Sequence, residues 1–246
     1  MLNFPKIDIE YWLVEWDTTQ REKAYFTPKM NLYSSIKKDI TLIDCEHQIL
    51  SIIRKVKNPC DEKNEVFKVI DLIYRWGGPS GRMFYLRLNS NGNSPRRELE
   101  LRNDLFTRYC DSIELARAGK ASSKFLFETI PGIGPSFASK HAAFWSAGSK
   151  RPLIVIDAKI AGCFGKQNLE LFEKEFNYES TLNEFIEYGK SLKIPKNSQE
   201  IERAFFTFHS HFFNNENTGW QTNKKKAFED KDYQIAESLA KQLGII

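Results

Sequence analysis

Apolar residues recur at helical spacing along most of this chain. Between Leu42 and Val56 they stand three and four residues apart, as on one face of an α-helix, and Pro59 marks the end of the pattern. The same spacing predicts helices on either side of the sequence IPGIG and at Val66 to Tyr74, Asp104 to Ala118, Leu169 to Phe176, Thr181 to Leu192, Glu200 to Phe213 and Tyr233 to Leu243. The pattern therefore predicts an all-α, mainly helical fold.

Two stretches do not follow this spacing. Residues 1 to 35 mix aromatic residues with prolines and give no clean period, so no element is predicted there. Met83 to Leu88 is typical of a short extended segment, and the cluster of Asn, Gly, Ser and Pro that follows it predicts a turn. The fold thus has room for a few short strands beside its helices.

Composition narrows the class of protein. The chain has 246 residues, of which 41% are hydrophobic and 13% aromatic, and this is enough apolar surface to build a sizeable core. We expect one unit over residues 1–246, made of two interleaved helical lobes. The net charge of +4 is compatible with a polyanionic partner but is too small to identify one.

Membrane, exported and metal-bound proteins are not favoured by the sequence. No stretch approaches about eighteen uncharged apolar residues, and the N-terminal segment is interrupted by Lys6, Asp8 and Glu10, unlike a signal peptide. The four cysteines lack metal-ligand spacing, and none follows Cys163, so no iron-sulfur cluster is expected. We expect a cytoplasmic protein with reduced cysteines and no cofactor.

The segment from Ser122 to Trp145 has the pattern of two helices joined by a tight turn. In this turn Gly132 and Gly134 flank Ile133, and we expect both glycines to permit positive φ and to let a phosphate approach the backbone amides. The helix that begins at Pro135 adds unsatisfied amides and the positive end of its dipole. The turn is therefore a candidate site for a DNA phosphate, and an ordinary helix-helix turn is the alternative.

Asp157 closes the run PLIVID, which is too short for a helix of its own. Taken alone, Asp157 is typical of the N-cap of a short helix that ends near Phe164. Taken together, IPGIG, FASKHAAFW and PLIVID resemble the helix-hairpin-helix superfamily of DNA glycosylases, in which a hairpin is followed by one helix, a short apolar run and an aspartate. The resemblance covers Phe125 to Phe164 and places this module at about residues 122–165.

The resemblance implies a two-lobed glycosylase fold and an enzyme that flips a base out of double-stranded DNA. Asp157 would stand at the mouth of the cleft between the lobes and would stabilise the positive charge that develops on the sugar as the base leaves. The residues expected to hold the DNA are Gly132, Ile133, Gly134, Ser136, Ser139 and Lys159. We expect such an enzyme to act as a monomer.

Lys140 is the candidate for a second catalytic group. Bifunctional members of the superfamily carry a lysine nucleophile two residues after the turn, where this chain has Ser136. Lys140 follows one helical turn later, on roughly the same face. Three interpretations stay open: a nucleophile shifted by one turn, a phosphate contact, or a solvated surface lysine. The first implies AP lyase activity through a Schiff base.

The substrate is less well specified than the reaction. The stretch SFASK after the hairpin resembles that of divergent 8-oxoguanine DNA glycosylases, so an oxidised purine is the first prediction. A hypermodified, phage-type cytosine stays open as an alternative. The competing hypothesis from another class is a non-catalytic helix-hairpin-helix module that only holds DNA, for which Asp157 would be dispensable.

Weaker candidates are individual aromatic and basic residues. The aromatic rings that could stack on a flipped base belong to Trp76, Phe144, Trp145, His209 and Trp220, although most such rings form the core. The basic residues that could extend a track along the duplex are Lys37, Lys38, Arg96, Arg97 and Lys224 to Lys226.

Overall fold

The structure is a computed structural model, and it describes residues 2–27, 30, 39–165, 175–213 and 231–244. These residues form twelve α-helices and no strand, so the predicted all-α fold class is confirmed for them. The one isolated bridge of extended backbone among them pairs Lys23 with Thr41. No helix in this part of the chain is long and apolar enough to cross a membrane.

Most helices lie close to where apolar spacing predicts them. Their bounds are α1 Ile9–Thr19, α2 Leu42–Ile53, α3 Lys63–Trp76, α4 Met83–Leu86, α5 Pro95–Leu101, α6 Asn103–Arg117, α7 Ser122–Glu128, α8 Pro135–Trp145, α9 Ala158–Cys163, α10 Glu175–Ser191, α11 Ser198–Phe212 and α12 Lys231–Gln242. A 3-10 turn, Pro79–Arg82, precedes α4. The helix predicted at Leu169 to Phe176 falls mostly outside the described residues.

The chain divides into two compact units. Residues 20–153 form the middle unit, which contains α2 to α8. Residues 1–19 and 154–246 form the terminal unit, which contains α1 and α9 to α12. The hairpin therefore belongs to the middle unit and Asp157 to the terminal unit.

In the middle unit, helix α3 supplies much of the core. Its residues Val66, Val69, Ile70 and Ile73 are fully buried, and it packs against α2 and α8. Helices α6, α7 and α8 also pack against one another. Both arms of the hairpin, α7 and α8, are thus held by neighbouring helices, which fixes the turn between them.

A buried ion pair joins α3 to α5 in the same unit. The Arg96 Nε donates to Asp71 Oδ1 at 3.0 Å, and the Tyr85 hydroxyl donates to the same oxygen at 2.7 Å. Burial raises the pKa of Asp71, and the charge of Arg96 opposes that shift. Arg96 is therefore engaged in the core, and the prediction that it extends a basic track is wrong.

The terminal unit is organised around α11. Helix α1 packs along it, with the Trp12 ring set edge-on to Phe208 and Phe212 at centroid distances of 5.6 and 5.8 Å. The Trp12 indole N–H donates to Asp232 of α12 at 2.8 Å. Helices α9 and α10 also pack on α11. The short helix that Asp157 begins therefore lies against a long, well-packed one.

The predicted extended segment at Met83 to Leu88 is wrong, because α4 occupies its first part. Phe84 and Tyr85 are consecutive and both are buried. An extended chain would direct neighbouring side chains to opposite faces. The helical turn instead lets Phe84 stack on Tyr74 at 4.2 Å while Tyr85 reaches Asp71.

Two helices lie in segments where none was predicted. Helix α1 buries Ile9, Trp12 and Trp16, which follow the helical steps of three and four residues. Helix α5 has Pro95 at its first position, and its N-cap Ser94 accepts a hydrogen bond from the Arg97 amide at 3.3 Å. Both signals are present in the sequence, so these helices could have been predicted from spacing and capping.

Candidate nucleic-acid interface and catalytic residues

The turn of the hairpin depends on Gly132. Its φ is 81°, in the left-handed region, and the Ile133 amide donates to the Ile130 carbonyl at 3.0 Å to close the turn. A Cβ at position 132 would stand 2.5 Å from the Pro95 Cβ and 3.1 Å from Phe84. Only glycine satisfies both the backbone conformation and the close approach.

Gly134 has a different role from the one predicted. Its φ of −79° and ψ of 170° are extended, so the prediction of positive φ is confirmed at Gly132 and wrong at Gly134. Gly134 is the N-cap of α8, and a Cβ there would meet nothing within 4 Å. Its missing side chain therefore leaves open space over the start of the helix.

The first turn of α8 has the properties of an anion site. Within the described hairpin, no side chain caps α8 and its first turn carries no acidic residue. Pro131, Gly132, Gly134 and Pro135 are exposed, whereas Ile133 is only 3% exposed and anchors the turn in the core. Amides at the start of a helix lack intrahelical acceptors and stand at the positive end of its dipole, so an anion is favoured there.

Buried aromatic residues of α3 and α8 pack against the turn of the hairpin. The Tyr74 hydroxyl donates to the Gly132 carbonyl at 3.3 Å, and its ring stacks on Phe137 of α8 at 4.4 Å. Beside it, the His141 Nδ1 is hydrogen-bonded to the Tyr109 hydroxyl at 2.8 Å. Burial, with a smaller contribution from the charge of Lys140, lowers the pKa of His141 to about 3. Sequence reasoning did not connect Tyr74 and Tyr109 to the turn, because they lie on other helices, α3 and α6.

The two serines predicted to bind DNA are not equivalent. Ser136 is half-buried, close to the start of α8. Ser139 is fully buried, and its hydroxyl donates to the Ser136 carbonyl at 2.8 Å. A hydroxyl in that position is not accessible to a phosphate, so the prediction of a DNA contact through the Ser139 side chain is wrong.

Lys140 is not a surface lysine. It is only 5% exposed, its Nζ donates to Ser136 Oγ at 2.8 Å, and the ammonium lies 5.3 Å from the centroid of the Phe137 ring. The interpretation as a solvated lysine is therefore wrong. Its amine instead reaches the side chain of Ser136, one helical turn earlier on α8.

Asp157 is the N-cap of α9, as the sequence predicts. The preceding run, Leu153 to Ile156, is buried and lies in neither a helix nor a strand, and the Tyr178 hydroxyl donates to the Ile154 carbonyl at 2.8 Å. The Asp157 Oδ1 accepts hydrogen bonds from the amides of Lys159 and Ile160 at 3.1 and 3.3 Å. The carboxylate is half-buried, and these two amides fix its orientation.

The Lys159 side chain is directed to α11. Its Nζ donates to Ser210 Oγ at 2.9 Å and lies 4.3 Å from the centroid of the Phe206 ring. The sequence predicted a DNA contact at Lys159. In the structure its ammonium is instead held within the terminal unit.

His209 lies beneath α9 and is fully buried. Its ring stacks on Phe213 at 4.5 Å, and a Cβ at Gly162 would stand 2.5 Å from its Nε2. Burial and the charge of Lys159 lower the pKa of His209 to about 4, and the charge of Asp157 opposes them. A ring enclosed in this way cannot stack on a flipped base.

The other weak candidates are mostly engaged or outside the described residues. Trp145 is buried, and Trp76 is half-buried with its ring edge-on to Phe144 at 5.1 Å. The exposed Arg97 pairs with Glu100 at 2.6 Å. The residues that lie outside the described part of the chain are Lys37, Lys38, Trp220 and Lys224 to Lys226.

In the described ranges, no group of three His, Cys, Asp or Glu residues is placed so that it could hold a metal ion. Comparisons of the chain with protein-family models, with curated proteins and with solved structures find no match.

Proposed function

We propose that this protein is a DNA N-glycosylase of the helix-hairpin-helix type, which flips a damaged or modified base out of double-stranded DNA and hydrolyses its glycosidic bond. The observation that carries the proposal is Asp157, a half-buried carboxylate held by the amides of Lys159 and Ile160 on the first helix after the hairpin. A monomeric, cytoplasmic enzyme is part of the same proposal.

In this proposal the hairpin holds the DNA backbone. The exposed backbone around Gly134 and the uncapped start of α8 offer amide donors to a phosphate without a competing carboxylate. Such contacts fix the position of the duplex and carry no sequence information. We therefore expect binding to be insensitive to sequence and to weaken as the salt concentration rises.

Asp157 supplies the negative charge that the reaction needs. As the glycosidic bond breaks, positive charge develops on the sugar, and a carboxylate fixed in advance stabilises it without reorganisation. Two hydrogen bonds from one helical turn to Asp157 Oδ1 provide that fixed orientation. The flipped nucleotide would present its sugar to this group.

Lys140 is the residue that would give the enzyme AP lyase activity. Its amine is buried and lies 2.8 Å from Ser136 Oγ, which supports a nucleophile displaced by one helical turn. A Schiff base with the sugar would be trapped by borohydride as a covalent adduct. We expect that adduct to be absent in Lys140→Met, and an adduct of full strength in this variant would exclude the lysine as nucleophile.

The proposed substrate is an oxidised purine such as 8-oxoguanine. Its support is the resemblance of SFASK, residues 136–140, to the corresponding stretch of divergent 8-oxoguanine glycosylases. A hypermodified, phage-type cytosine is the alternative. Duplexes that carry one modified base each, from a panel that contains both classes, separate the two.

The first experiment compares wild type with Asp157→Asn on that panel, scored as abasic sites after alkaline cleavage. We expect the single-turnover rate to fall about a hundredfold to a thousandfold while DNA affinity changes little. Asp8→Asn is the matched control, because Asp8 accepts a hydrogen bond from the Tyr11 amide at 3.1 Å at the start of α1 in the same unit. Salt-sensitive binding in all three proteins with no base release from any duplex would favour the non-catalytic module instead.

A further inference from the structure

Helix α9 is too short for its first turn to be stable without contacts to other helices. It spans six residues, Ala158–Cys163, and a helix of this length has little stability in water without tertiary contacts. The orientation of the Asp157 carboxylate depends on amides of that first turn. Contacts between α9 and its neighbours must therefore keep the carboxylate in place.

Lys159 contacts Asp157 through its backbone and α11 through its side chain. Its backbone amide donates to Asp157 Oδ1 at 3.1 Å, and its Nζ donates to Ser210 Oγ at 2.9 Å. The ammonium also lies 4.3 Å from the centroid of the Phe206 ring. Ser210 and Phe206 are one helical turn apart on α11, so a single residue links the carboxylate to the long helix of the terminal unit.

The last turn of α9 also packs closely on α11. Gly162 has no side chain, and this allows the His209 ring to approach α9 so nearly that a Cβ would stand 2.5 Å from Nε2. His209 is in turn stacked on Phe213 at 4.5 Å. Helix α9 is thus held on α11 by the Lys159 side chain near its first turn and by the glycine contact near its last.

Electrostatics in this cluster agree with the geometry. The charge of Lys159 lowers the pKa of His209 and the charge of Asp157 raises it. The ammonium and the carboxylate therefore act on the same buried ring with opposite sign.

We propose that Lys159 is a positioning residue, which clamps the first turn of α9 onto α11 and so fixes the carboxylate of Asp157. The inference rests on the proposed function, in which Asp157 stabilises the charge on the sugar. It replaces the phosphate contact that the sequence predicts for Lys159.

The test uses three substitutions in the full chain. Lys159→Met keeps an unbranched apolar side chain but removes the charge and the donor, Lys159→Arg restores both, and Ser210→Ala removes the acceptor on α11. Lys190→Met is the matched control, because Lys190 lies in the same unit and its exposed ammonium pairs with the exposed Glu187 at 2.7 Å.

We expect Lys159→Met to lower the single-turnover rate about tenfold to a hundredfold, as displacement of a catalytic group does. Ser210→Ala should show a smaller loss of the same kind, and Lys159→Arg should recover most of the rate. DNA affinity should stay within about twofold of wild type, because the ammonium does not contact the phosphate in this scheme. Hydrogen exchange at the Ile160 amide should become faster in Lys159→Met and stay unchanged in Lys190→Met.

Two outcomes would overturn the inference. A loss of DNA affinity in Lys159→Met with the rate retained would identify Lys159 as a phosphate contact. Unchanged exchange at Ile160 would show that the side chain does not clamp the turn. If wild type releases no base from any duplex, the proposed function fails, and the exchange measurement still decides whether Lys159 holds α9.

Discussion

The buried histidine of the hairpin helix gives a prediction that does not depend on any substrate. His141 is fully buried, and its pKa lies at about 3 instead of 6.5, mainly because of burial. The folded protein therefore keeps the ring neutral at pH values at which the unfolded chain takes up a proton. Stability from this group is complete above about pH 6.5 and is lost as the pH falls toward 3.

The size of the effect follows from the two pKa values. At pH 5, which is 1.5 units below 6.5, protonation of the unfolded chain at about 1.4 kcal/mol per unit removes about 2 kcal/mol of stability. The result at pH 5 depends little on the folded value, because that value lies well below 5. By about pH 3, where the folded ring is itself half protonated, the same group would account for roughly 4 kcal/mol.

The assay is urea unfolding followed by circular dichroism at pH 8 and pH 5. Wild type and His141→Gln are compared through the difference between their free energies at the two pH values, so the intrinsic effect of the substitution cancels. Glutamine removes the titration and can still bond to the Tyr109 hydroxyl. We expect the pH-dependent loss to be about 2 kcal/mol smaller in His141→Gln.

A matched control is available in His47, which is exposed on α2. The same difference measured for His47→Gln gives the effect of losing an exposed imidazole, against which the effect of His141→Gln is compared. An equal loss in His141→Gln and wild type would refute the reasoning, because it would mean that the ring is as accessible to a proton when folded as when unfolded.

Three further predictions concern close contacts and the core. Gly132→Ala should destabilise the fold by about 2–4 kcal/mol in thermal or urea unfolding. Gly134→Ala should unfold like wild type but bind duplex DNA about tenfold more weakly. Equal DNA binding by Gly134→Ala and wild type would exclude the amides of this turn as the phosphate site. Gly162→Ala should cost about 1–3 kcal/mol through its clash with His209, and His209→Ala added to it should recover part of the loss, which a double-mutant cycle of melting temperatures measures. Arg96→Met leaves the Asp71 carboxylate buried without its cation and should lower the free energy of unfolding by about 3–5 kcal/mol. The double variant Arg96→Met, Asp71→Asn should lose less stability. An Arg96→Met protein as stable as wild type would contradict the buried ion pair.

Much of the hairpin could be predicted from the sequence because its signals are local. The helix before the turn, the proline at the first position of α8 and the glycine at position 132 all act within a few residues. The same is true of Asp157, whose cap needs only the amides of Lys159 and Ile160. Patterns of this kind predict helix caps and turns directly from neighbouring residues.

The parts that could not be predicted depend on contacts between distant segments. Nothing near Gly132 in the sequence indicates that Pro95 closes off the space for a Cβ, or that Tyr74 bonds to its carbonyl. Likewise, the destination of the Lys159 ammonium is fixed by α11, which lies about fifty residues further along. A surface lysine and a clamped lysine have the same local sequence, so only the packing distinguishes them.

The two interpretations of Asp157, helix cap and catalytic carboxylate, are compatible, and the geometry makes them separable. Both amide bonds go to one oxygen, Oδ1, so the side-chain oxygen of an asparagine can accept them equally well. Asp157→Asn therefore keeps an acceptor for the cap and removes the negative charge. If its melting temperature matches that of wild type, any loss of base release measures the charge. Asp157→Ala removes the cap as well as the charge, so we expect it to melt at a lower temperature than wild type. Its loss of base release would combine the two effects and could not distinguish the cap from the catalyst.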